Sequence, residues 1–319
     1  MKKLVYILCI LFNAGYAPVL PADYPEACWN RIISPNGKDF LKLNIDSNQV
    51  VFAGSWGDGL YRKDIAWKEI TGSIAGKHIN IVESGFKDSV YAGVWGGGIF
   101  VSPDKGDNWN LLTNFFNNNK LKCLSVYKNG FMIAGTYGYG IFKTYDAGKN
   151  WTPVNYNLCW RDINCLLALN DSVYFAGTNG GGLFRTTNAG SGWIKSGSGI
   201  PCLTITDIRK NQNNQIFVST LNCGIYHSAD FGKTWQKLGR STLHPEQTNS
   251  MAITSVNNLF AATNNDGVIR YKPVLDTWEK TDDKRVNGGV NSIVSNSNSY
   301  LYCSDRKSTR LNSSHGKLS

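Results

Sequence analysis

The sequence is poor in charged residues and in histidine, and it lacks the short motifs of the common hydrolases and metalloenzymes. Only 18% of its 319 residues are charged and four are histidines. No His-x-x-x-His, Gly-x-Ser-x-Gly or Cys-x-x-Cys pattern occurs, so neither a metal centre nor a serine nucleophile has its residues in the usual spacing. We therefore predict no catalytic residue, no metal site and no cofactor.

The chain also lacks an apolar run long enough to cross a bilayer. A short run from Leu4 to Phe12 follows Lys2 and Lys3 and precedes several small residues, which is typical of a secretory signal. We predict a signal peptide over residues 1–22, cut somewhere between Ala14 and Ala22. The protein is then secreted, periplasmic or on the cell surface, without a membrane span.

Cysteine is too irregular for a disulfide framework. Seven cysteines remain once Cys9 leaves with the signal, and an odd number pairs poorly. Cys123 and Cys165 are 42 residues apart, and we interpret them as small buried apolar residues on neighbouring strands rather than as a bridge or metal ligands.

The formal charge of +10 is less informative than it looks. Residues 305–319 resemble the translation of a sequencing adapter, so we expect a non-native tail after Ser304. Without Lys2, Lys3 and the net +3 of that tail, a surplus of +5 remains. No basic run accompanies it, so we predict no nucleic-acid partner.

A repeat of about 42 residues organises the rest of the chain. Tryptophans at 67, 109, 151, 193, 235 and 278 are spaced by 42, and by 43 in the last interval. The unit His78 to Leu112 divides into four strand-length runs, at 79–83, 89–93, 98–102 and 108–112, bounded by turn residues. Four short strands per unit predict propeller blades, whose strands we call A to D. The units lie near 39–70, 78–112, 120–154, 162–196, 204–238 and 249–281, with a partial unit at 289–304.

The chain ends predict how the ring closes. Residues 27–32, around Trp29, resemble a spare strand D, while 289–304 supplies strands A and B of a last unit. We therefore predict an all-β, seven-bladed propeller over residues 27–304, with a truncated last blade that the N-terminal strand completes.

The C–D turns carry a motif in four units. It resembles the Asp-box (BNR) repeat S-x-D-x-G-x-x-W, in which the carboxylate or amide bonds the turn backbone, glycine tolerates positive φ and tryptophan packs the turn down. We interpret these residues as structural: Ser102, Asp104, Gly106, Trp109, Thr144, Asp146, Gly148, Trp151, Asn188, Gly190, Trp193, Ser228, Asp230, Gly232 and Trp235. The resemblance implies the superfamily of sialidases, xyloglucan-degrading enzymes, sortilin-type receptors and photosystem II assembly factor-like proteins, and hence a fold rather than a function.

The B–C loops lie at the opposite end from these turns. Trp56, Trp95 and Tyr137 hold one position in three consecutive units, followed there by Asn179. These residues either form a ligand surface or cover glycine-rich backbone between blades. Trp160 and Arg161, in a D–A connection, share this end. The candidate ligand-binding residues are Trp56, Asp58, Trp95, Tyr137, Tyr139, Asn179, Trp160 and Arg161.

Three functions remain open. We favour a secreted, non-catalytic binding propeller for a glycan, peptide or protein. A glycoside hydrolase is the second hypothesis, with Asp58 and Asp266 as carboxylates, although Arg31-Ile32-Ile33 only approaches the Arg-Ile-Pro motif of sialidases. The third is the sensor propeller of a periplasmic two-component regulator, because residues 176–184 resemble that family's repeat. The oligomeric state and the ligand are not predicted.

Overall fold

A computed structural model of the chain describes residues 4–9, 28–33, 40–85, 88–116, 120–127, 130–239, 245–281 and 288–305. The region expected to contain the signal cleavage point, residue 27 of the predicted closing strand, and residues 306–319 of the expected tail lie outside these ranges. Asp305, which we had placed in the tail, belongs to a strand and pairs with Val290.

Six four-stranded antiparallel sheets each consist of consecutive strands and form blades 1 to 6. Strand A is the innermost in each blade and strand D the outermost. The bounds are, in order A to D, Phe40–Ile45, Val51–Ser55, Leu60–Lys63 and Trp67–Glu69; Ile79–Ser84, Val90–Val94, Gly98–Ser102 and Asn110–Thr113; Leu121–Val126, Met132–Thr136, Ile141–Thr144 and Thr152–Pro153; Ile163–Ala168, Tyr174–Thr178, Leu183–Thr186 and Ile194–Lys195; Ile205–Lys210, Ile216–Thr220, Gly224–Ser228 and Gln236–Lys237; Thr248–Ile253, Leu259–Thr263, Val268–Lys272 and Thr277–Lys280. A 3₁₀ turn, Gly72–Ile74, follows blade 1.

The two chain ends form a further four-stranded sheet, which we call the closing sheet. Its strand order is Cys28–Ile33, Leu4–Cys9, Leu301–Asp305, Val290–Ser295. The prediction of seven blades, the last one completed by an N-terminal strand, therefore needs correction: six blades are each built from one continuous repeat, and the closing sheet is assembled from two separate parts of the chain. The physical reason is that the last repeat supplies only strands A and B. The predicted strand Cys28–Ile33 does join this sheet. However, Leu4–Cys9, predicted as part of the signal peptide, takes the position of strand C, with Val5 opposite Ser304.

Hydrogen bonds between successive A strands tie the ring together. The amide of an asparagine at the second position of strand A donates to the first carbonyl of the next A strand. The closing sheet continues this pattern, because Asn291 Nδ2 donates to Phe40 O (3.3 Å) and Leu43 N donates to Ser292 Oγ (3.1 Å). The other asparagine bonds run from Asn80 to Leu121 O, from Asn164 to Ile205 O and from Asn249 to Val290 O, at 2.8–2.9 Å.

Strand B is buried along its whole length in every one of the six blades. This burial explains why strand B carries a pair of small residues, such as Ala134-Gly135 in blade 3. A Cβ added at Gly135 would lie 2.6 Å from the side chain of Ile163 in the next blade, closer than side chains approach. Aromatic pairs fill the remaining space, as where Phe131 stacks on Tyr174 of the following blade at 5.4 Å. The core therefore lies between blades.

Candidate functional site

The C–D turns of blades 2 to 5 are held by hydrogen bonds within the turn. In blade 2, Gly106 N donates to Ser102 Oγ (2.6 Å) and Asn108 N donates to Asp104 Oδ1 (2.8 Å). Blades 3 and 5 repeat this arrangement around Asp146 and Asp230. In blade 4, Thr186 Oγ1 donates to the Asn188 amide oxygen (2.7 Å). These carboxylates already have partners inside their own turns.

The tryptophan after the turn joins its blade to the preceding one. The indole Nε1–H of Trp193 donates to Val154 O (2.7 Å), and the ring is 2% exposed. Trp109, Trp235 and Trp278 donate in the same way to Ile70 O, Ser196 O and Leu238 O. Trp151 instead donates to Gly148 O in its own turn (2.9 Å), and the buried Trp67 Nε1 has no partner in the part of the chain that the structure describes.

The turn carboxylates make the stability of the folded protein depend on pH. Hydrogen bonds, first from the Asn108 side chain, lower the pKa of Asp104 to about 2. Backbone bonds from Asn150 and Thr234 are the main causes that lower the pKa of Asp146 and of Asp230. Because an unfolded aspartate takes up its proton at a higher pH than these folded ones, acid favours the unfolded chain.

We expect the stability that the hydrogen bonds of these three carboxylates provide to be complete above about pH 4 and to be lost as the pH falls towards about 2. Asp104→Asn, Asp146→Asn and Asp230→Asn together should flatten this loss, because an amide does not titrate. The native Asn188 shows that an amide is accepted in the turn. Urea unfolding midpoints between pH 7 and pH 2 provide the measurement. An unchanged pH slope in the triple variant would contradict the assignment.

In five of the six blades, a hydroxyl at the end of strand B closes the B–C loop, whereas blade 2 has Val94 at this position. Thr136 Oγ1 donates to Gly140 O four residues later (2.8 Å), and the equivalent bond occurs at Ser55, Thr178, Thr220 and Thr263. The residue after this hydroxyl then points away from the buried strand. The repeat therefore places one side chain per blade on the same end of the ring.

Three of these side chains are aromatic and exposed. We name Trp56, Trp95 and Tyr137 the aromatic arc; their exposed fractions are 56%, 41% and 51%. Trp56 lies over the ring of His78 at 4.3 Å, and Trp95 N donates to His78 O (3.0 Å). Blades 1 and 2 thus meet at His78, a residue that the sequence did not single out.

Lysines flank the third member of the arc. Lys120 and Lys122 place Nζ 5.7 and 5.4 Å from the Tyr137 ring centroid. Lys122 is fixed by Asp162 Oδ1 (2.8 Å) and Asn164 Oδ1 (2.6 Å). Neither lysine was among the candidates predicted from the sequence, although both lie at the start of blade 3.

The other predicted candidates fall into two groups. Arg161 and Tyr139 are exposed near Tyr137, because Gly138 N and Gly140 N both donate to Arg161 O. Asp58 is half-buried in the blade 1 loop, where its N–H donates to Ser55 Oγ (3.2 Å).

Trp160 and Asn179 form the second group. Trp160 Nε1 donates to Asn179 O (2.6 Å), and the Trp160 ring covers the Gly180–Gly181 backbone so closely that a Cβ at Gly181 would collide with it. Asn179 is held in turn by Asp162 Oδ2 (2.9 Å). Trp160 therefore covers glycine-rich loop backbone, which is the second of the two interpretations given for the aromatic residues at this end.

Blade 5 has a disulfide where blade 4 has this tryptophan. Cys202 and Cys223, bonded to each other, lie 42 residues after Trp160 and Gly181. We did not predict this bridge, because an odd cysteine count says nothing about repeat position. A cavity of ≈ 310 Å³ beside it is lined by residues that include Lys195, Ser198 and Cys202.

The other two cysteines that we discussed are free thiols. Cys165 is buried and Cys123 half-buried, and burial raises the pKa of Cys123 to about 12. Both sulfurs pack against the glycine of strand B, Gly135 and Gly177, which agrees with an apolar role.

Most of the described arginines are used elsewhere than at the B–C loops. Arg62 Nη1 donates to Lys105 O (2.8 Å) and Arg185 Nη1 to Phe231 O (2.7 Å), so each fixes the C–D turn of the next blade. Asp266, a candidate carboxylate for hydrolysis, is paired with Lys280 at 2.8 Å. Within the described ranges, Arg161 is the one arginine at the B–C loops, so a sialidase-type arginine cluster is not assembled there.

Comparisons with known proteins show the fold. No family model matches the sequence, and no curated protein matches it. Among solved structures, the chain is similar to YCF48 bound to a D1 peptide, with a TM-score of 0.65 and 16% identity over 90% of this chain and 98% of that one. It is also similar to the extracellular domain of a protein described as a hybrid two-component system from B. thetaiotaomicron (TM-score 0.68, 16% identity, 86% of this chain and 40% of that one). The GH74 xyloglucanase from Xanthomonas campestris gives a TM-score of 0.65 at 12% identity, over 84% and 51% of the two chains.

The chain is a β-propeller of four-stranded antiparallel blades. Its structural neighbours include both binding domains and enzymes, so the fold does not decide between those functions. In the described ranges, no helix has the length and apolar character needed to cross a membrane, and no group of three or more His, Cys, Asp or Glu residues could hold a metal ion.

Proposed function

We propose that this protein is an exported, non-catalytic binding propeller of the Asp-box type. Its ligand is an extracellular glycan, peptide or protein that contacts the aromatic arc. One observation carries the proposal: Trp56, Trp95 and Tyr137 occupy the same loop position in three consecutive blades and expose at least 41% of their surface. Exposed aromatic rings on a rigid scaffold are characteristic of binding surfaces, because they provide a large contact area at little cost in conformational entropy.

A binding role agrees with how the polar groups are used. The turn carboxylates, Arg62, Arg185 and Asp266 all have partners within the fold. A hydrolase would need an acid and a second carboxylate, or a nucleophile, facing the same ligand. YCF48, a structural neighbour that spans this chain almost completely, was solved with a bound peptide, which supports a binding role. Export is supported by the Cys202–Cys223 bridge, since disulfides persist in oxidising compartments.

The test replaces the three arc residues with asparagine, which other blades of this chain carry at the same position. Trp56→Asn, Trp95→Asn and Tyr137→Asn together install the residue that blades 4 and 6 carry at this position, Asn179 and Asn264. The matched control is Tyr145→Ala with Phe231→Ala, which removes two exposed aromatic rings from C–D turns at the other end. Alanine occurs natively at the equivalent positions 229 and 147.

We expect the parent and the control to bind the same members of glycan and peptide arrays, and the arc variant to bind them about 100-fold more weakly. Thermal unfolding of all three proteins should be similar. Equal binding by parent and arc variant, or no binding by the parent, would contradict the proposed surface. Release of sialic acid from sialosides, or of reducing sugar from xyloglucan, would replace the non-catalytic function with a hydrolytic one.

A further inference from the structure

The centre of the ring contains a cavity that is separate from the aromatic arc. Its volume is ≈ 220 Å³, and it is lined by the last residues of strand A in blades 1, 5 and 6 and in the closing sheet, including Asn44, Arg209, Lys210, Ala252, Val294 and Ser295. Strand A begins at the B–C loop end, so its last residues lie towards the opposite end of the ring. A ligand here would not touch the arc.

The fifth residue of strand A differs in length around the ring, and four of these residues line the cavity. The fifth residue of strand A is Arg209 in blade 5, Ala252 in blade 6, Val294 in the closing sheet and Asn44 in blade 1. Blade 4 has Leu167 at this position. Ala252 and Val294, which line the cavity, have shorter side chains than Arg209 and Leu167. Blades 2 and 3 have Glu83 and Ser125 at this position.

Asp207 fixes the guanidinium beside this space. Arg209 Nε donates to Asp207 Oδ2 (3.1 Å), and the same carboxylate accepts Met251 N (2.8 Å) and Ile208 N (2.9 Å). Asp207 is buried, while 38% of the Arg209 side chain stays exposed. Arg209 lines the cavity, and its two Nη groups make no hydrogen bond within the part of the chain described.

The charges around the cavity favour an anion. Asp207 is balanced by Arg209. Glu83 lies behind the lining residue Asn44, whose Nδ2 donates to Glu83 Oε2 (3.4 Å). Burial raises the pKa of Glu83 and outweighs the opposing charges of Lys42 and Arg209. Lys210, which lines the cavity, has only a 3.5 Å contact between Nζ and Asn214 Oδ1. None of the residues lining the cavity has a carboxylate.

We propose that this cavity binds a small aliphatic carboxylate. The ligand's carboxylate accepts hydrogen bonds from the Arg209 Nη groups and lies near Lys210, and its chain contacts Ile45, Ile253 and Val294. Guanidinium groups bind carboxylates through two parallel hydrogen bonds. The cavity is smaller than the roughly 300–1,000 Å³ of sites for drug-sized ligands, so a short chain fits it best.

The NMR signals of the methionine methyl groups can report ligand binding in this cavity. The chain has three methionines; Met251 lines the cavity, whereas Met132 is fully buried in the contact between blades 2 and 3. In the full chain labelled with ¹³C-methyl methionine, hexanoate should shift the Met251 signal saturably and leave Met132 in place. Hexan-1-ol, which has the same chain length without the charge, should bind at least tenfold more weakly.

Two variants separate binding from folding. Asp207→Asn with Arg209→Gln removes the ion pair together, so no unpaired charge stays buried, and should weaken hexanoate binding at least tenfold. Ala252→Leu fills the cavity with the residue that blade 4 already uses and should abolish binding in a folded protein. Lys149→Gln, in an exposed turn, is the charge control and should bind as the parent does. No saturable Met251 shift, equal shifts of both methionines, equal binding of hexan-1-ol, or full binding by Ala252→Leu would each overturn the proposal.

Discussion

Replacing Trp193 with alanine should lower the free energy of unfolding by about 3–5 kcal/mol. The ring is 2% exposed and its Nε1–H donates to Val154 O across the blade boundary. Alanine would leave a cavity between blades 3 and 4 and a buried carbonyl without its donor. Both effects destabilise the same interface.

Urea unfolding of Trp193→Ala, Trp193→Phe and Trp56→Ala separates these effects. Phenylalanine keeps most of the buried ring but not the hydrogen bond, so its cost should be intermediate. Trp56 is the same residue type at 56% exposure, and its replacement should change stability by no more than about 0.5 kcal/mol. Equal costs at positions 56 and 193 would contradict the division between structural and surface tryptophans.

Removing the disulfide with Cys202→Ser and Cys223→Ser should cost about 3 kcal/mol, because the bridge closes a loop over a sequence separation of 21. The effect should match that of reducing the parent protein. Cys159→Ser is the background for both measurements, because Cys159 is an exposed free thiol that could exchange with the bridge.

A second variant tests whether the bridge substitutes for the tryptophan of blade 4. Cys202→Trp with Cys223→Gly recreates the pair Trp160 and Gly181 in blade 5. We expect it to recover part of the lost stability in chemical unfolding, because the ring would again cover the loop backbone. If the variant with Cys202→Trp and Cys223→Gly is no more stable than the double serine variant, the two blades hold their loops in unrelated ways.

The repeat explains why much of the fold was predictable. For the unit at 78–112, the predicted strands lie within two residues of Ile79–Ser84, Val90–Val94, Gly98–Ser102 and Asn110–Thr113. Turn glycines and a regular tryptophan define these positions locally, without knowledge of the neighbouring blade. The exposure of the aromatic arc followed from the same register, whereas its role in binding stays a prediction.

What the sequence did not predict depends on contacts between blades. The disulfide needs the knowledge that positions 202 and 223 correspond to a touching pair in blade 4. His78 and Lys120 belong to connections that vary from one repeat to the next, and Lys122 lies at a strand A position where four of the other sheets have asparagine. In the closing sheet, the strands Cys28–Ile33, Val290–Ser295 and Leu301–Asp305 were predicted, but Leu4–Cys9 was not, because its apolar run was interpreted as a signal peptide.

The bond from each indole to the preceding blade spans nearly one repeat, 39 residues at Trp109, Trp193 and Trp235. Deleting the residues from one of these tryptophans to the next would remove a whole blade and leave the other tryptophans that bond across a blade boundary facing a carbonyl of the same kind. Gain or loss of blades by unequal recombination would therefore preserve these interfaces, provided that both break points fall at the same place in the repeat.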